Sequence, residues 1–164
     1  RRPLEEVLPR VTDALIRHEV ATAERLAADP AWTAHLVDQL RVRARTIEEV
    51  VTQARPYLLD EIEYDDAAVA KALLKDRAAS ADILHATREA LVNAPAWTAE
   101  ALEPALRTLA ESRGLTAGKI FTPLRVAVTG LAVSPGIFDV LTLIGRERSL
   151  ERLARTLDML ATTT

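Results

Sequence analysis

No cysteine occurs anywhere in the chain, which excludes disulfides and any thiolate-held zinc or iron–sulfur site. Glycine is scarce: 5 in 164 residues are too few for the many tight turns of an all-β chain. Aromatics make up 4% and Met159 is the single methionine, so a core must be assembled from Leu, Val, Ile and Ala. Leu and Ala favour helix before any pattern is read. No apolar run approaches the roughly 18 residues of a membrane span, and Arg1-Arg2-Pro3-Leu4-Glu5-Glu6 has no signal-peptide apolar region. A start on Arg-Arg-Pro without methionine reads as a fragment or a processed product. The expected setting is the cytoplasm and the expected state a monomer.

What is present is balanced. Hydrophobic residues make up 49% and charged residues 27%, enough apolar material for a real core. The net charge of −3 argues against binding nucleic acid through bulk electrostatics. Its distribution says more: residues 1–94 carry 13 basic and 17 acidic groups, whereas 95–164 carry 8 and 7. Acid gathers at Asp60, Glu61, Glu63, Asp65 and Asp66, while Arg41, Arg43 and Arg45 form a local cationic patch. Such a patch suits a short single-stranded stretch better than a long duplex.

Periodicity is helical throughout. Leu4, Val7, Val11, Ala14 and Leu15 recur at spacings of three and four. A second run covers Ala21 to Ala28, and Pro30 disfavours helical geometry at Asp29. From Trp32 a long stretch reaches about Ala54, with a bend or interruption expected near Arg43; Pro56 and the acidic segment behind it read as a turn or linker. Helix resumes at Ala67, breaks near Arg77–Ser80, and stops at Asn93-Ala94-Pro95, the expected boundary between two subdomains. Thr98 is a good N-cap, and Gly114 sits where a helix end favours left-handed backbone. Pro123 predicts a kink between Thr116 and Gly130. Ser134-Pro135 reads as an N-cap followed by proline at the first helical position, and Gly145 ends that helix. The expected fold is all-α, two consecutive helical bundles over 1–93 and 94–164.

Catalytic chemistry is hard to assemble from these residues. His18, His35 and His85 lack metal-ligand spacing with one another. Gly114-Leu115-Thr116-Ala117-Gly118-Lys119-Ile120 is similar to a phosphate loop, but it is one residue short and puts Ile120 where the magnesium-binding hydroxyl belongs. Acidic residues in a helix linker are ordinarily solvated surface, and no general-base partner stands out. Trp32 and Trp97 are expected to anchor helix packing. Arg41, Arg43 and Arg45 could on their own be a solvated helix face.

Two segments point further. Gly118-Lys119-Ile120-Phe121-Thr122-Pro123-Leu124-Arg125-Val126-Ala127-Val128-Thr129-Gly130 continues to Ser134-Pro135-Gly136-Ile137-Phe138 and closes on Leu143-Ile144-Gly145-Arg146-Glu147-Arg148. Leu40-Arg41-Val42-Arg43-Ala44-Arg45-Thr46-Ile47 is followed by Ala54-Arg55-Pro56-Tyr57-Leu58. The first resembles the C-terminal signature of bacterial glutamyl-tRNA synthetases, Pro-Leu-Arg-x-Ala-x-Thr-Gly, Ser/Thr-Pro, then Leu-x-Gly-Lys/Arg-Glu-Arg. The second resembles their Arg-x-x-Thr-Leu helix and the stretch after it. The similarity runs from about Leu4 to Leu160 and is most specific in the last third.

The resemblance implies two helical subdomains that clasp the anticodon loop of a glutamate tRNA. It aligns Arg43 with the position that reads the third anticodon base, which bears on discrimination between glutamate and glutamine tRNAs. It places Arg125 at a second anticodon contact, Ser134, Pro135 and Ile137 at a contact turn, and Arg107 nearby as a weaker candidate. Arginine suits such sites because its planar fork can grip a base edge or a phosphate through two parallel bonds. The family's nucleotide-binding motifs do not appear here, so ATP, magnesium and glutamate binding belong to a catalytic half, and this chain is not expected to be catalytic on its own. Two other readings stay open: a helical protein-interaction domain of the same fold, and a regulator that binds tRNA without charging it.

Overall fold

A computed structural model describes residues 2–162, which form helices and loops without a strand. The chain divides into two compact units, Arg1–Ile62 and Glu63–Thr164.

The first unit contains α1 (Leu4–Arg17), α2 (Ala23–Ala28), α3 (Pro30–Arg41) and α4 (Ile47–Leu58). Caps set the boundaries locally. The Thr22 hydroxyl accepts from Arg25 N at 3.1 Å, and the Asp29 carboxylate accepts from Trp32 N at 3.1 Å with Pro30 at the start of α3. The expected interruption near Arg43 is a full break at residues 42–46. There Thr46 accepts from Glu49 N at 3.1 Å, while the Glu49 carboxylate reaches back to Arg45 N at 2.7 Å. This reciprocal arrangement restarts the helix after the arginine-rich loop. Leu15 of α1 and Leu36 and Leu40 of α3 are almost fully buried with Tyr57 of α4. Each such leucine contributes about 2 kcal/mol of burial. Pro56, read as the start of a turn, lies inside α4, where it is buried in the final turn and lets the helix run two residues beyond it.

The second unit begins with α5 (Asp66–Val69), which continues into a π-helical turn at Ala70–Leu74, then α6 (Arg77–Val92), α7 (Ala99–Ser112), α8 (Gly118–Thr129), α9 (Ile137–Ile144) and α10 (Arg146–Ala161). The break before α6 falls at Asp76, whose carboxylate caps Ala79 N at 3.0 Å. Thr98 caps Ala101 N at 3.3 Å, Gly114 takes the positive φ expected of it, and Gly145 ends α9 as expected, with φ of 92°. Pro123 is accommodated within α8.

The unit boundary differs from the 93/94 division expected from the sequence. Asn93-Ala94-Pro95 does end a helix, but it does not end a core. Leu84, Thr87 and Leu91 of α6 are fully buried, and α6 packs on α7, α8 and α10, all of which follow that point. A second tie fixes the start of the unit. Tyr64 Oη donates to Ala127 O at 2.8 Å, and Asp65 N donates to Gly130 O at 2.9 Å. The backbone there passes so close that a Cβ on Gly130, which already has φ of 75°, would overlap the Glu63 carbonyl oxygen.

Candidate nucleic-acid interface

The two groups of residues singled out in the sequence fall in different units. Arg43 lies in the α3–α4 break of the first, and Arg107, Arg125, Ser134, Pro135 and Ile137 lie in the second.

Arg43 is exposed, and its loop carries Arg45, exposed as well, with Arg41 half-buried at the end of α3. The patch is therefore a loop display rather than a helix face, because the break at 42–46 turns these side chains out of helical register. Arg41 has structural work: Nε donates to Asp38 at 2.8 Å and Nη1 to the carbonyl of Arg2. The side chains of Arg43 and Arg45 form no ion pair with any described residue.

In the second unit Arg125 is half-buried on α8, and its Nε donates to Ser134 Oγ at 2.7 Å. Ser134 in turn donates to the carbonyl of Pro135 at 2.7 Å. The hydroxyl is thus an acceptor for the guanidinium and a donor to the turn, using both of its capacities. This corrects the helix-cap reading of Ser134-Pro135. Helix α9 starts at Ile137 after Gly136, with no side-chain cap bond, so Ser134 orients Arg125 instead of capping. Ser134 and Pro135 are buried, and Ile137 is only 3% exposed. Ile137 is therefore core in this structure, and the base-face packing expected of it has no exposed surface to use.

Arg107 is exposed on α7, paired with Glu103 at 2.8 Å, and its guanidinium carbon lies 5.6 Å from the ring centre of Phe121. Phe121 meets Phe138 edge to face at 5.4 Å. Phe121 and Arg125 are four apart on α8 and so share a face. Sequence reasoning passed over both phenylalanines as residues of interest; the spacing of Phe121 to Arg125 was the available signal. Trp97 does anchor packing, donating Nε1 to Leu141 O at 2.7 Å, and Arg25 lies 4.7 Å from the ring centre of Trp32.

Among the described residues no group of three or more His, Cys, Asp or Glu could hold a metal ion, and no helix is long and apolar enough to cross a membrane. The proton equilibrium of Tyr64 is displaced. Burial raises its hydroxyl above the ordinary 10.0, opposed by a bond with Thr156 and by the charges of Arg152 and Arg155.

The family model described as an anticodon binding domain matches residues 4–157. A glutamate–tRNA ligase of Symbiobacterium thermophilum is 34% identical over 154 residues, which are 94% of this chain and 31% of that protein. One from Thermodesulfovibrio yellowstonii is 33% identical over 95% of this chain and 33% of its own length. The chain thus spans about a third of the curated relatives it matches. The crystal structure of a glutamate tRNA ligase from Elizabethkingia meningosepticum in complex with its amino acid shares the fold, with a TM-score of 0.77 at 21% identity over 97% of this chain and 30% of that one.

Proposed function

Because the chain belongs to the anticodon binding domain family, we propose that it is the anticodon-recognition portion of a glutamate–tRNA ligase. The observation that carries this reading at the site is the buried Ser134 hydroxyl gripping Arg125. A guanidinium held by its Nε edge has fewer rotamers to lose when it meets a base edge, which favours a fixed geometry over a roaming charge. Arg43, exposed in the other unit, supplies a second contact and carries the preference for the third anticodon base. Arg107 beside Phe121 offers a cation and an aromatic face for an unstacked base. Pro135 and Ile137 act from inside the turn, by holding Ser134 in place.

The partner is a glutamate tRNA, approached through its anticodon loop. The ATP- and magnesium-dependent attachment of glutamate belongs to the longer ligase in which this chain works, as a monomer in the cytoplasm. The test is binding of a glutamate-tRNA anticodon stem-loop to the wild type, Arg43→Gln and Arg125→Ala, followed by fluorescence anisotropy. Arg125→Ala is expected to weaken binding about tenfold, and Arg43→Gln to relax the choice of third base. If affinity and base preference are the same in all three proteins, the assignment fails.

A further inference from the structure

The first unit holds an open groove of about 630 Å³, and the residues to which the resemblance gives an anticodon contact are not among those lining it. Four arginines from separate places in the chain surround it: Arg2 ahead of α1, Arg10 on α1, Arg41 at the end of α3, and Arg45 in the α3–α4 break. Among the described residues no acidic one lines it, although the chain as a whole carries more acid than base. Val7 and Val50 are among the apolar lining residues. Two carboxylates of the groove's helices are already engaged, Asp38 with Arg41 and Glu49 with the backbone of Arg45. Arg41 also donates to the Arg2 carbonyl, which secures the segment before α1 against the groove wall. The side chains of Arg2, Arg10 and Arg45 are exposed and pair with no carboxylate of a described residue.

We propose that this groove is a phosphodiester track, which holds the sugar–phosphate backbone of the RNA strand beside the base that Arg43 addresses. The inference rests on the anticodon-recognition reading and adds a site to it. Four like charges converging on one groove repel one another in the free protein, so a polyanion relieves them, and releases its own condensed counterions as it binds. Guanidinium forks match phosphate oxygens in pairs, and the apolar floor suits the ribose faces between them. Arg43 sits between Val42 and Ala44, which both line the groove, so a strand held there runs past it. The division of roles is that of backbone contacts that position and base contacts that specify.

The experiment uses the full chain with two RNAs, the glutamate anticodon stem-loop and the same stem carrying an unrelated loop. Arg10→Ala, Arg45→Ala and the double variant are compared with wild type and Arg125→Ala across a salt series. Each groove substitution is expected to weaken both RNAs alike, by about tenfold, and to reduce the slope of log affinity against log salt by about 0.7–0.9. Base preference stays as in the wild type. Arg10→Lys and Arg45→Lys, which keep the charge, retain most of the slope and guard against loss through misfolding, as do unchanged thermal midpoints. If the double variant keeps full affinity and slope while Arg125→Ala weakens binding, the track is refuted and anticodon recognition survives. If the wild type binds neither RNA, both fall together. If a polyglutamate peptide of matched charge displaces the RNA from the wild type as well as RNA itself does, the groove is an acidic-peptide site and the proposal is overturned.

Discussion

In the second unit arginines close helices; in the first they face solvent. Arg146 donates to Val92 O at the end of α6, Arg148 to Ile144 O at the end of α9, and Arg77 to Met159 O near the end of α10. Arg152, only 3% exposed, donates to Val128 O near the end of α8 at 2.9 Å. Each places a cation where a helix leaves its last carbonyls unmatched and its dipole negative. Around the groove of the first unit only Arg41 is committed to other groups, the Asp38 carboxylate and the carbonyl of Arg2 ahead of α1. Formal charge therefore misleads: the units hold similar kinds of residues, but the second has used most of its guanidinium groups to hold itself together. Arg125 is held there by the Ser134 hydroxyl.

The comparison breaks first at Arg152. Arg152→Met leaves the Val128 carbonyl buried without this donor and is expected to cost about 2–3 kcal/mol in urea unfolding. The salt slope of RNA binding, measured where the variant is folded, should not change; a flatter slope would place Arg152 among the RNA contacts and erase the contrast. Next in size is Ser134. Ser134→Ala should lower stem-loop affinity about fivefold, since Arg125 must then be ordered by the ligand. Ser134→Thr, which keeps the hydroxyl, should restore it; failure of that rescue would mean the hydroxyl serves only the turn.

The smallest effect is confined to alkaline solution. The folded-state value of the Tyr64 hydroxyl lies above its unfolded one, so its contribution is complete below about pH 10 and is lost as pH rises through the folded value. Urea midpoints should therefore fall as the pH rises above about 10, less steeply in Tyr64→Phe than in wild type. Equal slopes would show that the alkaline loss comes from elsewhere.

Local features of the fold were legible in the sequence. Thr98, Gly114, Gly145 and the Asn93-Ala94-Pro95 stop act through the backbone within a turn of themselves, and each does what its residue type dictates. The places where the sequence misled are those decided at a distance. Ser134 looked like a cap because caps are serines before helices, but Arg125, nine residues back, claims its hydroxyl. The unit boundary falls at Ile62/Glu63, inside the acidic segment that reads as a turn or linker, because what α6 packs against lies after Asn93-Ala94-Pro95. The groove arginines Arg2 and Arg10 carried no signal at all; only folding brings them beside Arg45.

The close pass of residues 63–65 over the end of α8 has a genetic consequence. Every missense change open to a glycine codon adds a Cβ, and at position 130 every Cβ meets the Glu63 carbonyl. Random mutagenesis should therefore leave only synonymous changes at position 130, whereas at Gly118 an added Cβ meets nothing within 4 Å and no such steric bar applies.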